Sequence, residues 1–315
     1  MEKQYKASID KATALDFAIR DGQKEFDYGY EISGKSPYNN YLSNEDWKRF
    51  IGSMSALHLA QYNDADGGEL KEKSGRWGIN PPKMASFGSS SRLIYECSKS
   101  IPGFCFEKQL PTRVGHTANL DGYICRPEED VFVEAKCREI YSSHLNQKIS
   151  LVYKNVYEYI KSKNPDFSYA CKPIENEPDY MACSFIMNNK YISHFDVKQL
   201  ICHFLGICAN ILENKANTHV RFLYLIFNPN FDTDFSNPFI SNFQSKILEE
   251  YKETLAEINI FGDFKWLFDA VMDYQSEHLD SPRPKCDFKF ELQDHMTYTS
   301  ELIRLALSHN LNKKN

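Results

Sequence analysis

No CxxC pair occurs anywhere in this 315-residue chain, which removes the commonest sequence signature of a zinc or iron–sulfur centre. The nine cysteines (Cys97, Cys105, Cys125, Cys137, Cys171, Cys183, Cys202, Cys208 and Cys286) are odd in number and scattered, and most lie in apolar segments. They are expected to be free thiols packing as small hydrophobes. No apolar run is long enough for a membrane span, so a membrane is not an expected partner. The opening MEKQYKASIDKATALD lacks the apolar core of a signal peptide, and the expected compartment is the cytoplasm. Nor is there a surplus of positive charge: 37 Lys and Arg stand against 43 Asp and Glu, for a net charge of -6. That balance argues against a broad, non-specific coat on DNA, so any grip on phosphate must be built locally. Internal repeats and low-complexity tracts are also missing.

What is present suits a sizeable core: 42% hydrophobic and 14% aromatic residues. The length fits one elaborated domain, or two that share a core. Residues 8–20 carry apolar groups at helical spacing, and Ser43 followed by Asp46 makes a capping-box-like start for a helix through about Tyr62. Residues 63–82, rich in Gly, Asp and Pro, read as a loop. Ser89, Ser90 and Ser91 offer caps for a short helix, RLIYECSK, that must stop before Pro102. Three strands are expected next: FCFEKQL (104–110), TANLDGYIC (117–125) and VFVEAKC (131–137), the last two joined by the hairpin-like RPEED. Residues 138–195 read as an insertion with a helix at 148–162. Asp196 then caps the apolar helix VKQLICHFLGICANIL, and VRFLYLIFN (220–228) reads as a strand buried on both faces. Two helices, a short strand (DFKFELQ) and a final helix complete the chain. The expected fold is α/β, a central mixed β-sheet flanked by helices, with helical additions at both ends. The expected divisions are a helical region at 1–85, a core at 86–230 with its insertion at 138–195, and a mainly helical region at 231–315.

Chemistry is concentrated in Asp121, Glu134 and Lys136. Residues two apart on a strand share a face, so Glu134 and Lys136 project together from a run otherwise apolar enough to be buried. Buried charges are costly unless paired or bound to an ion. The short hairpin allows Asp121 to lie beside Glu134, where two carboxylates repel unless a cation sits between them. A hard divalent ion held by carboxylates, a carbonyl and waters resolves that conflict, and a nearby lysine can position or help deprotonate a water. A cross-strand salt bridge on a surface strand is the plainer reading of the same residues.

LDGYI followed by VFVEAKCREIY resembles the core of the PD-(D/E)xK superfamily, the restriction-endonuclease-like nucleases. The resemblance spans about 140 residues and the element order helix, three strands, helix, strand. It implies a Mg²⁺-dependent endonuclease, with Mn²⁺ as a substitute, that hydrolyses phosphodiester bonds in DNA, RNA not excluded. It further implies Asp121, Glu134 and the Ala135 backbone carbonyl as metal ligands, Lys136 as the residue that orients or activates water, Glu96 on the first helix as a further acid and ligand, and Gln199 as a helper early in the second helix. A restriction or defence role follows by analogy, as does a homodimer, since cutting both strands of a duplex commonly needs two sites. Leu120 stands where the superfamily often has proline, and the insertion at 138–195 is a second departure. The alternatives are a catalytically inactive nucleic-acid-binding or scaffolding protein of the same fold, and an RNA- or structure-specific nuclease. Glu107 reads as a strand-surface charge, Lys108, Arg113 and His116 as a solvated loop cluster, and His58, His194 and His203 as core or cap histidines.

Overall fold

The computed structural model describes residues 13–14, 28–32, 38–65, 69–75, 78–214, 217–228, 244–295 and 297–298. The helix expected over 8–20 and the final helix lie almost wholly outside them. A hairpin of β1 (Tyr28–Tyr30) and β2 (Tyr38–Leu42) precedes α1 (Asn44–Ser53) and α2 (Ala56–Asp64). One helix is expected over this stretch and two form. The Asp46 amide donates to Ser43 Oγ at 3.1 Å as the capping pattern requires. Met54 is extended, however, and Ser55 starts a second helix by accepting from the His58 amide. The small hairpin β3 (Lys73–Gly75) and β4 (Gly78–Asn80) leads to α3 (Ser90–Ser98), capped by Ser89.

The central sheet begins with β5 (Cys105–Pro111), β6 (Thr117–Cys125) and β7 (Asp130–Lys136), an antiparallel meander. The insertion follows as β8 (Gln147–Ser150), α4 (Lys154–Lys163), β9 (Phe167–Pro173), β10 (Tyr180–Met187) and β11 (Lys190–Tyr191). Its strands form a second, four-stranded sheet with β10 at the centre. Residues 148–150, expected to be helical, instead pair with β10, because tertiary pairing overrides a weak local preference. Cys171 and Cys183 face each other across β9 and β10 and are joined by a disulfide, which corrects the expectation of nine free thiols.

The chain returns through α5 (Val197–Asn214) to β12 (His219–Ile226), then α6 (Gln244–Ile260), α7 (Lys265–His278) and β13 (Asp287–Asp294). The central sheet has the order β13-β12-β7-β6-β5, with β12 parallel to both β7 and β13. The short C-terminal strand thus belongs to the central sheet, where it covers what would otherwise be the open edge of an apolar β12. β7 and β12 lie inside the sheet, and β7 is buried along its whole length.

Two cores fill the two faces. On one face Leu93 and Ile94 of α3 pack with Trp47, Phe50, Val131, Val133 and Leu225. On the other, Leu200, Phe204 and Ile207 of α5 pack with Phe132, Phe222, Leu267 and the insertion's Tyr157 and Phe185. The insertion therefore shares the second core. α5 comes unusually close to the sheet at Gly206, where a Cβ would lie 2.8 Å from the Ala118 Cβ and 2.9 Å from the Leu110 Cβ. No helix among the described residues is long and apolar enough to cross a membrane.

Candidate active site

Asp121 sits where β6 parts from β7. Their ladder runs from Cys125↔Asp130 to Gly122↔Val133 and stops. Beyond that point the Ala135 amide donates to Asp121 Oδ2 at 2.7 Å. The N–H and C=O of one strand residue point to the same side, so the Ala135 carbonyl shares this edge with the carboxylate. The pleat also shifts here: Ala118 and Leu120 enter the core beneath α5, whereas Ile124 enters the one beneath α3. Gly122 has no room for a side chain, since a Cβ there would meet the Phe104 ring at 2.2 Å. Breaks of this kind let a strand re-aim a side chain.

Glu134 and Lys136 share a face, as period two requires. Lys136 Nζ donates to Glu134 Oε1 at 2.7 Å and also to Gln199 Oε1 from the first turn of α5. Asp196 fixes that turn by accepting from the Gln199 amide at 3.0 Å. One further turn along, His203 Nδ1 lies 3.5 Å from Glu134 Oε2, and neither atom has a hydrogen-bond partner among the described residues. Glu134 and Lys136 are 2% and 5% exposed, so these charges act through little solvent.

Burial pushes the Asp121 carboxyl well above the ordinary range, and repulsion from Glu134 adds to it. Burial likewise lifts Glu134 to about 7, against the pull of Lys136. For Lys136, burial disfavours the charge, but Glu134 and the other surrounding groups more than offset it and hold the ammonium protonated. His203 is driven down to about 3 by burial and then by Lys136, so it is a neutral imidazole. Asp196, although buried, is kept below the usual carboxylate range by Lys136. The site thus combines crowded hard oxygen donors with one immobilised cation.

A third carboxylate approaches from the other side. The β5–β6 register places Glu107 across from Asp121, and its backbone has φ 54°, uncommon for a residue other than glycine. Burial, then Asp121 and Glu69, raise its carboxyl to about 9. Glu107 is therefore not the strand-surface charge its position suggests. Glu69 is buried and accepts from Lys83 Nζ at 2.6 Å.

Glu96 is engaged differently. It is buried on α3 between Arg92 at 3.7 Å and Lys99 at 2.7 Å, four residues before it and three after. A carboxylate held by two cations is a poor ligand for a third. Sequence reasoning gave no site role to His203, Asp196 or Glu69. His203 was within reach of it, because it lies four residues after Gln199 and hence on the same face of α5. Glu69 lies in a stretch with no periodic signal.

Among the described residues, no three His, Cys, Asp or Glu side chains gather closely enough to hold a metal unaided. The oxygens that meet at the end of the β6–β7 ladder are the Asp121 and Glu134 carboxylates and the Ala135 carbonyl, with Glu107 facing Asp121 from β5. Compared with known proteins, the chain matches no family model, no curated protein and no solved structure.

Proposed function

We propose that this chain is a Mg²⁺-dependent endonuclease that hydrolyses phosphodiester bonds in DNA, with Mn²⁺ able to substitute. The observation that carries the reading is the meeting of Asp121 and Glu134 at the end of the β6–β7 ladder, with Lys136 clamped beside them by Glu134 and Gln199. The donor set suits the ion. Glu134 Oε2 is a buried oxygen without a hydrogen-bond partner among the described residues, and Asp121 and Glu134 crowd each other in a way a cation would relieve. Mg²⁺ takes few protein ligands and keeps several waters, so Asp121, Glu134 and the Ala135 carbonyl are a sufficient protein share. When bound, the ion would stabilise charge developing on the phosphodiester.

The rest falls to the protein's own groups. An ammonium has three donors, and Lys136 commits two of them, to Glu134 and Gln199. The third is left to hold a water or a phosphate oxygen in place. Held in this way, Lys136 would orient or activate the attacking water. Gln199 prevents the ammonium from turning away, and the Asp196 cap holds Gln199. Cutting both strands of a duplex takes two such sites, so a homodimer belongs to this reading.

The test is nicking of supercoiled plasmid in Mg²⁺ by the intact protein, by Asp121→Ala and by Lys136→Ala, with a chelator control and a parallel RNA substrate. Each substitution should lower cleavage by roughly a hundredfold or more without altering the far-UV circular dichroism. Cleavage that survives in a metal-free preparation, or in Lys136→Ala, would refute the assignment.

A further inference from the structure

One turn along α5 from the candidate site, the insertion and the helix enclose a cleft of about 420 Å³. That is in the range of small-molecule sites. Its walls are the rings of His116, Tyr153, Tyr157 and Tyr180 together with the ammonium-bearing chains of Lys148 and Lys198. His116 stacks on Tyr153 with centroids 5.7 Å apart, and Tyr153 stacks on Tyr157 at 6.2 Å. Lys148 Nζ lies 4.0 Å from the Tyr180 ring centroid and pairs with Glu177. Lys198 Nζ donates to the Lys148 carbonyl at 3.0 Å, and among the described residues no carboxylate neutralises it. The cleft and the site lie against neighbouring residues of the same helix. Lys198 neighbours Gln199, which accepts from Lys136, and Cys202, on the cleft floor, neighbours His203, which faces Glu134.

Flat aromatic surfaces beside an ammonium without a carboxylate partner are the chemistry that holds a nucleobase and its phosphate. An aliphatic ligand would leave the ammonium unused, and a bare anion would leave the rings unused. We propose that this cleft is a nucleotide-binding pocket that takes an unstacked base of a nucleic-acid strand, with Lys198 holding the adjoining phosphate, and so presents single-stranded or locally opened substrate to the neighbouring site. The proposal rests on the nuclease reading for its substrate, but the pocket's binding can be measured without catalysis.

The experiment is fluorescence anisotropy in chelator with a labelled single strand of about ten nucleotides, the matched duplex, a wholly abasic strand and thymidine 5′-monophosphate as competitor. Proteins compared are the intact chain, Tyr180→Ala, His116→Ala, Lys198→Ala and Asp121→Asn. The single strand should bind more tightly than the duplex or the abasic strand. Tyr180→Ala should weaken it about tenfold, and Lys198→Ala should lower the slope of log affinity against log salt by about one. Asp121→Asn should keep the preference for the single strand over the abasic strand. Displacement by the mononucleotide alone, with no preference among the polymers, would mean that a free nucleotide is the ligand and would overturn the strand assignment. Equal binding of the abasic strand, or unchanged binding by Tyr180→Ala and His116→Ala, would overturn the pocket. Base-dependent binding without any plasmid or RNA cleavage would uphold the pocket while removing the nuclease reading. Cleavage with no base-dependent binding would do the reverse.

Discussion

The two ends of α5 meet the same sheet by opposite means. From its middle onward the helix presses hydrocarbon on hydrocarbon, with Gly206 letting it settle against Leu110 and Ala118, and Phe204 packed edge-on to Phe222, Phe268 and Phe288. Toward its N-terminus, Gln199 and His203 meet Lys136 and Glu134, so a comparable thickness of interior is filled with charge. The first arrangement stabilises by burial and close packing. The second desolvates an ammonium and a carboxylate, and an ion pair inside a protein rarely recovers that cost. Selection for stability alone would have made both ends alike. The polar end is tolerated because the apolar end fixes the helix.

Breaking the polar end should have the largest effect. Lys136→Met leaves Glu134 without its cation and should cost about 3–5 kcal/mol in urea denaturation near neutral pH. The double variant Lys136→Met/Glu134→Leu should recover most of that loss, because an apolar pair of similar size removes both desolvation costs. On the proposed function, both proteins should also lack nuclease activity. If the double variant is no more stable than the single, the ion pair is a net contributor to the fold and the contrast between the two ends fails.

Disturbing the apolar end comes next. Gly206→Ala gains about 1 kcal/mol of helix propensity, yet it drives a methyl into Leu110 and Ala118, one of whose contacts is backbone. Overpacking of this kind typically costs about 1–3 kcal/mol, so a net loss is expected in the same denaturation series. A gain in stability would mean that the helix can lift off the sheet freely and is not what holds Gln199 in place.

The same contrast explains what could be read from the residue order. Charges spaced two apart in VFVEAKC, and a strand apolar but for Arg221 in VRFLYLI, give away the sheet centre because burial there leaves little choice of periodicity. The juxtaposition of Asp121 and Glu134 followed from a hairpin too short to allow much else. The place of Gln199 beside Lys136 came from the family resemblance and not from spacing, since nothing local ties residue 199 to residue 136. Glu107 was misread because its side chain is set by a left-handed backbone and by a shift of the pleat, neither of which period-two reasoning contains. The insertion's sheet was missed for a related reason: β8 is four residues long and is stabilised by its partner strand, not by its own sequence. The Cys171–Cys183 pairing depends on the β9–β10 register, which turn composition alone does not specify.

The smallest predicted effect concerns the segment that delivers the chain into α5. Glu257 on α6 accepts from the amides of Ser193, His194 and Phe195 at 2.7, 2.7 and 2.9 Å, and from Ser193 Oγ at 2.8 Å. Burial alone would raise its carboxyl. The His194 side chain and these amides outweigh that effect and hold it at about 2, below the ordinary 4.5. A carboxyl with a depressed folded value contributes stability that is complete above about 4.5 and is lost as pH falls toward 2. His194, raised from 6.5 chiefly by Glu257, contributes in the opposite sense: its share is complete below 6.5 and fades as pH rises through the folded value. Allowing for solvent screening of a partly exposed group, the Glu257 contribution is about 1–2 kcal/mol. Urea midpoints of the intact protein and Glu257→Gln should therefore differ at pH 6 and converge on acidification below about 4.5. Parallel pH profiles for the two proteins would show that the three amides are held by the loop itself, and that the polar end of α5 needs no support from α6.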